Sequence, residues 1–261
     1  CIGSITDAIL SHPIIITEDR WRSQRNMMES RLLAHLEVFL PVYARNCEIR
    51  KIDKAEAAAF LEANHSYGDA ACRYRYGMFL RRHTGWRSLI HLSNPDQEKN
   101  TEQNCNIREA LKPGTLIAVA EFSNARKWIK GEKIIRSYEW TRYASLPGVR
   151  INGGMGKMLK HFIKEIQPDD IMSYADLEWS EGAVYEQLGF TLEGRKEAVS
   201  FIIDCNTWER NAIRDSSPTH FTSILDSRCP QEEAEDAEKE DSRFFRNLGS
   251  NKYRLKLTDY Q

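Results

Sequence analysis

The chain has 261 residues, 41% of them hydrophobic, with 37 Lys and Arg against 38 Asp and Glu and a formal charge of −1. That length and apolar content favour one large domain, and the near-zero charge excludes a global basic field that would draw the whole protein to nucleic acid. No apolar run approaches the roughly 18 residues of a membrane span, no basic-then-apolar leader opens the chain, and six scattered cysteines (Cys1, Cys47, Cys72, Cys105, Cys205, Cys229) form no C-x-x-C, so a soluble, reduced, cytoplasmic protein without a metal site or membrane contact is expected. A start at Cys1 rather than Met predicts further residues upstream.

Residues 1–16 carry no pattern beyond Ile14, Ile15 and Ile16. From Glu18 onward Trp21, Met28, Leu32, Leu36 and Phe39 recur at helical spacing, with Thr17 as N-cap and Pro41 as stop. One amphipathic helix is expected, packed on the domain or on a second copy in a homodimer, so residues 1–41 form a helical extension. Its Arg20, Arg22, Arg25 and Arg31 read as a solvated face that can also meet phosphate. Residues 48–52 read as the first strand, and Asp53-x-x-Glu56 is a capping box for a helix over 54–64. His65, in the turn HSYGD that follows, either caps the helix end or serves as a neutral imidazole able to take a proton from an amine near pH 7.

Residues 70–95 contain no acid, yet hold Arg73, Arg75, Arg81, Arg82 and Arg87 among Tyr74, Tyr76, Phe79 and Trp86. A hairpin turning near His83, Thr84 and Gly85 fits this pattern. Its arginines, Arg73, Arg75 and Arg82 foremost, either clamp DNA or RNA phosphates or form the wet face of the hairpin. Residues 93–114 read as a polar insertion, 115–122 as an alternating strand and 125–133 as a basic connection.

Residues 138–190 read strand, glycine loop, helix, strand, helix. Met158, Leu159, Phe162, Ile163 and Ile166 share one helical face, with Lys157, Lys160 and Lys164 on the other, so the helix packs one side on a sheet. Gly153, Gly154 and Gly156 lie where strand turns to helix, which lets backbone amides approach an anion; a plain turn needs the same glycines. The spacing is neither a Walker loop nor a Rossmann fingerprint. Residues 191–204 follow as a closing strand pair, 231–241 hold seven acids in eleven residues, and 252–257 read as a last strand returning to the sheet.

The segment VYEQLGF (residues 184–190) resembles the Tyr-x-x-x-Gly-Phe that closes the acyl-CoA-binding core of GNAT-fold N-acyltransferases. Over longer stretches, YARNCEIRKI, FLEANHSYG, SYEWTR, GGMGKML, SYADLEWSEGAVYEQLGF and NLGSNKYRLKL are similar to GNAT-related domains of phages and mobile elements akin to the Mom DNA-modification proteins. The likeness spans roughly residues 42–204 and the last strand. It implies an α/β (α+β) fold: a central mixed, mostly antiparallel GNAT-like sheet flanked by helices, with the N-terminal amphipathic helix and a C-terminal extension. The domain would cover 42–261, with the polar insertion near 93–114 and an acidic loop near 226–243.

The resemblance also implies an acyl-CoA co-substrate, acetyl-CoA or another. Ile151, Asn152, Gly153, Gly154, Met155, Gly156 and Lys157 would hold its pyrophosphate, and the gap between strands 138–141 and 171–174 its pantetheine arm. Tyr185 matches the tyrosine that protonates the departing sulfur. Glu139 and Asp176, on the strands flanking the gap, would orient the amine or relay its proton, and Trp140 and Trp179 would wall the pocket. The family signature Arg/Gln-x-x-Gly-x-Gly/Ala is met only in part, since Ile151 stands three before Gly154 and Arg150 is one place early. Two functions stay open: an N-acyltransferase acting on a nucleobase amine or a small amine, and a non-catalytic module binding nucleic acid or a protein partner.

Overall fold

The computed structural model describes residues 14–82, 111–213 and 242–260. The turn near 83–85, most of the 93–114 insertion and most of the acidic segment near 226–243 lie outside the described residues. Among the described residues two helices come first, α1 (Glu18–Ser23) and α2 (Arg25–His35), followed by β1 (Leu40–Tyr43), β2 (Cys47–Lys51), α3 (Lys54–Asn64), β3 (Tyr74–Leu80) and β4 (Leu116–Phe122). Strands β5 (Arg126–Lys130), β6 (Lys133–Ser145) and β7 (Val149–Asn152) lead into the long helix α4 (Gly154–Ile166), then β8 (Asp170–Asp176) and the short helix α5 (Ala183–Gln187). The remaining strands are β9 (Thr191–Lys196), β10 (Ser200–Asp204), β11 (Arg210–Ala212), β12 (Ser242–Arg246) and β13 (Ser250–Lys256).

The chain divides into two compact units, one of residues 1–25, 175–181 and 195–251, the other of 26–174, 182–194 and 252–261. The larger unit carries the fold class expected from the sequence. Its sheet runs β2-β3-β4-β6-β8-β13-β9, with β5 beside β6 and helices packed on it. The pairs β2–β3, β3–β4, β4–β6 and β5–β6 are antiparallel; β6–β8 is parallel, as is the separate pair β1–β7.

Local signals set most elements of this unit. Asp53 Oδ1 accepts the Glu56 amide at 2.8 Å, so the capping box forms and α3 starts where expected. Helix α4 buries Met158, Leu159 and Phe162, and Phe162 stacks on Phe122 with ring centroids 3.9 Å apart. Helix α3 packs Ala57, Phe60 and Leu61 against Val119 and Ala144. Val119 and Phe122 are an odd number of strand residues apart, so the two helices cover opposite faces of the sheet. Deep in the unit Asp170, fully buried, accepts from Arg254 Nη1 and Tyr260 Oη at 2.6 Å each and from Ser137 Oγ. Those contacts tie β6, β8 and β13 to the last described residue.

Several expectations change. The single N-terminal helix is two: Gln24 leaves helical geometry (φ −131°, ψ 35°) and Glu37 turns left-handed at φ 61°, which ends α2 at His35 and leaves Leu36 73% exposed. Ser23 Oγ donates to Asp19 O at 2.7 Å, a back-bond that competes with the helical ladder at the break. The apolar stripe expected to meet a second copy is thereby interrupted. Residues 125–133 are not a loose connection, because they contain β5, which closes a tight hairpin on β6 through Gly131 at φ 61°. β9 and β10 do not pair with each other: β9 ends the main sheet beside β13, whereas β10 joins β11 and β12.

In the smaller unit β11-β10-β12 form an antiparallel sheet. Arg210, between the rings of Phe201 and Phe245 (5.3 and 4.5 Å), donates to Asp19 Oδ2 and to Thr17 Oγ1 at 2.7 Å. Thr17 therefore serves Arg210 and makes no N-cap bond. Arg20 is not on a solvated face either; it is 4% exposed and lies 3.8 Å from buried Glu178.

Candidate functional site

The parallel ladder between β6 and β8 comprises Ser137↔Asp170, Tyr138↔Ile171 and Glu139↔Met172, and ends there although both strands continue. The next link is made by a side chain, Ser173 Oγ to Trp140 O at 3.0 Å. Of the gap expected between 138–141 and 171–174, the first half is paired (Tyr138↔Ile171, Glu139↔Met172), and the ladder is absent only from Trp140 and Ser173 onward. Tyr185 Oη sits at this point, 2.9 Å from Ser173 Oγ and 3.4 Å from Tyr174 O. Its ring stacks on Tyr253 (5.3 Å) and meets Phe190 and Trp140 edge-on (5.5 and 6.4 Å). Burial raises the pKa of the phenol, only partly opposed by Ser173, so Tyr185 keeps its proton at neutral pH. Trp140, 3% exposed, belongs to the core.

Helix α4 starts beside the gap strands with Gly153 as N-cap at φ 75°, which offers no side-chain cap to the first-turn amides of Gly154, Met155 and Gly156. Those amides and the positive end of the helix dipole suit an anion. The glycines differ in what holds them. A Cβ on Gly154 would fall 2.7 Å from Tyr143 Oη and 2.9 Å from Ile151 Cβ, so this glycine is needed for packing. On Gly156 the nearest atom is Leu188 Cδ2 at 3.3 Å, the end of a side chain that can turn away. Ile151 and Asn152 lie in β7, in register with Val42 and Tyr43 of β1. Lys157 Nζ donates to Ala44 O at 2.9 Å and to Cys47 O, which directs it toward carbonyls and away from a phosphate.

The other expected site residues are dispersed. His65 is the C-cap of α3, and its Nδ1 accepts the Tyr67 amide at 3.1 Å, which places the ring proton on Nε2. Glu139 faces Arg126 at 3.6 Å. Asp176 shapes the turn after β8, accepting the Glu178 amide on Oδ1 at 3.0 Å and the Trp179 and Ser180 amides on its carbonyl. Trp179 is half-buried in that turn. Arg73 and Arg82 are exposed at opposite ends of β3, roughly 30 Å of extended chain apart, while Arg75 turns inward to Glu121 at 3.3 Å. A single arginine clamp does not form.

Sequence reasoning passed over Ser173, Tyr143 and Glu121. Glu121 is the one charged residue of the apolar strand LIAVAEF, and that contrast was a usable signal; Ser173 and Tyr143 lie in strands that carry other polar residues and offered none. Glu121 is 0% exposed, neither carboxylate oxygen has a hydrogen-bond partner among the described residues, and Asp69, Cys72 and Arg75 lie beside it. Burial, with Asp69 adding to it against Arg75, pushes its pKa up to about 7. Burial and the same carboxylate push the Cys72 thiol up to about 12. Between pH 4.5 and 7 the folded chain therefore holds a proton that the unfolded chain has released. Stability falls as pH rises through that window, by about 1.4 kcal/mol per unit and up to about 3 kcal/mol in all. Urea unfolding at pH 5, 6, 7 and 8 should show this slope in the parent and a shallower one in Glu121→Gln; equal slopes would remove the assignment.

Neither a protein-family model nor a curated protein matches the sequence. Among solved structures the chain is similar to Eis1 from Mycobacterium abscessus, at 14% identity and TM-score 0.36, covering 61% of this chain and 34% of that one. It is similar to the NatC complex bound to Gag peptide and CoA, at 12% identity and TM-score 0.40 over 82% and 99% of the two chains. It is also similar to yncA from Salmonella typhimurium with its cofactor acetyl-CoA, at 13% identity and TM-score 0.36 over 82% and 96%. This chain thus spans about a third of the Mycobacterium protein's length. Among the described residues no helix is long and apolar enough to cross a membrane, and no group of three or more His, Cys, Asp or Glu is placed to hold a metal ion.

Proposed function

We propose that the chain is an acyl-CoA-dependent N-acyltransferase. The observation that carries this reading is the end of the β6–β8 ladder at Glu139↔Met172, with the protonated Tyr185 hydroxyl held by Ser173 at the opening. A pantetheine arm is an extended, amide-bearing chain, and strand edges that no longer pair can bond to it. The uncapped first turn of α4 would take the CoA pyrophosphate on the amides of Gly154, Met155 and Gly156. Tyr185 would protonate the leaving thiolate. Of the acceptors left open by the sequence, the inward turn of Arg75 removes the centre of the expected phosphate clamp. That favours a small amine over a nucleobase amine in DNA.

Acetyl-CoA at millimolar concentration should raise the melting temperature of the parent, since a ligand that binds only the folded chain stabilises it by RT ln(1 + [L]/Kd). Gly156→Glu, which places an acid at the anion site at the cost of a small displacement of Leu188 Cδ2, 3.3 Å from the new Cβ, should abolish the shift while the variant melts near the parent without ligand. The binding-module reading has its own observation, the loss of Lys157 to the carbonyls of Ala44 and Cys47. A parent that shows no shift with acetyl-CoA would establish that reading in place of the enzyme.

A further inference from the structure

The polar cluster under residues 65–73 has no part in the chemistry above. Glu121 contributes two buried carboxylate oxygens and Asp69 a third, Oδ1, and none of the three has a hydrogen-bond partner among the described residues. Among the described residues the cation paired with them is Arg75, whose Nε lies 3.3 Å from Glu121 Oε1 without hydrogen-bond alignment, while Arg142, in register with Glu121, is turned onto the Gly68 carbonyl. With both acids ionised, the cluster of Asp69, Glu121 and Arg75 carries one net negative charge. Buried acceptors left this way cost about 1–3 kcal/mol each, more when charged, so the cluster calls for a donor with several N–H groups. Among the described residues no three His, Cys, Asp or Glu side chains are placed to hold a metal ion.

We propose that this cluster is the acceptor-amine site: it takes a primary ammonium group between Glu121 and Asp69, and the Glu121 carboxylate accepts one of its protons, which frees the lone pair that attacks the thioester carbon as the C–S bond breaks. An ammonium has three N–H donors for three unsatisfied oxygens and supplies the missing positive charge. The inference rests on the acyltransferase reading for its role but not for its chemistry. Its place in the sheet suits the role. Glu121 is in register with Arg142 of β6, and Thr141 Oγ1 donates to the Glu121 carbonyl at 3.0 Å, so the cluster lies one strand spacing, about 4.8 Å, from the strand whose far side forms the gap. Glu121 is one residue from Phe122, whose ring meets α4, so its side chain leaves the opposite face of the sheet. An amine there approaches the gap from the side away from the anion-binding helix. Entry requires residues 65–73 to lift. That stretch has no helix or strand; backbone bonds tie its ends, the His65 amide to Leu61 O at 2.8 Å and the Arg73 amide to Phe122 O at 3.1 Å, and between them side chains take the Asp69 amide (Glu62 Oε1, 3.0 Å), the Gly68 carbonyl (Arg142 Nε, 3.0 Å) and the Cys72 carbonyl (Arg75 Nη2, 2.9 Å).

Calorimetry with propylamine and N,N-dimethylpropylamine tests this, because both are cations at pH 8 but the second has a single N–H. The parent should bind propylamine at least tenfold more tightly than the dimethyl compound. Glu121→Gln, an isosteric change that removes the carboxylate charge beside Arg75, and Asp69→Asn should each weaken propylamine at least tenfold. At pH 6 a proton on Glu121 competes, and affinity should fall several-fold in the parent but not in Glu121→Gln. A parent that binds no propylamine up to about 100 mM, or that binds both amines alike, overturns the site, as does unchanged binding by Glu121→Gln. Amine binding without an acetyl-CoA shift leaves this site standing and removes the acyltransferase reading; an acetyl-CoA shift without amine binding does the reverse.

Discussion

Tyr185→Phe should lower turnover by about 10²–10⁴-fold with acetyl-CoA affinity little changed, because a general acid acts on the leaving thiolate only as the C–S bond breaks. The geometry makes the substitution clean. The ring is held by Tyr253, Phe190 and Trp140 whether or not it carries a hydroxyl, and the Oη makes its short contact with Ser173 alone. Loss of that hydrogen bond costs about 1 kcal/mol of stability. A structural tyrosine and a catalytic one therefore separate by readout: thiol release from acetyl-CoA with a panel of small amines reports the second, and urea unfolding the first. A Phe variant that turns over like the parent while losing about 1 kcal/mol would return Tyr185 to packing. The pH profile gives a second check, since a phenol whose pKa is raised by burial remains an acid across the neutral range, and no loss of turnover from its ionisation is expected below pH 9.

Asp170→Ala should destabilise the larger unit by about 3–5 kcal/mol, because removing one partner of a buried ion pair leaves the other charge inside without compensation. Asp170 is 0% exposed and accepts three donors, and without it Arg254 keeps Glu193, a carboxylate 38% exposed, and the neutral Ser137 hydroxyl at 3.2 Å. Asp170→Asn keeps the shape and one acceptor oxygen, so it should lose less than the alanine variant. Urea unfolding followed by fluorescence decides between them. A loss under about 1 kcal/mol for Asp170→Ala would mean that the contacts of Ser137, Arg254 and Tyr260 with Asp170 contribute little and that apolar packing alone holds β6, β8 and β13 together.

Both predictions concern residues on which sequence and structure meet unequally. The likeness to a family motif singled out Tyr185 and implied a gap beside it, and the structure puts the Tyr185 hydroxyl on Ser173 where the β6–β8 ladder ends. Asp170 and Arg254 were not legible. They stand 84 residues apart, and nothing in DIMSYAD or NKYRLKL marks which charge is turned inward.

By itself the sequence determined what depends on neighbours a few residues away. The 3.6-residue spacing of Met158, Leu159 and Phe162 made α4 and chose its buried face, Asp53 and Glu56 set the start of α3, and Gly153 at φ 75° set the turn into α4. Only the tertiary structure decided which polar groups were withdrawn from water. Lys157 is spent on carbonyls 110 and 113 residues away, Arg75 on a carboxylate in the next strand, and Gly154 is needed because Tyr143 Oη lies 2.7 Å from where a Cβ would stand. The N-terminal helix broke at Gln24, although its apolar spacing ran on to Phe39. The physical reason is the same in each case: a hydrophobic period reports the face a segment can bury, whereas burial of a charge is tolerable only beside a compensating group, and that group is brought near by the fold.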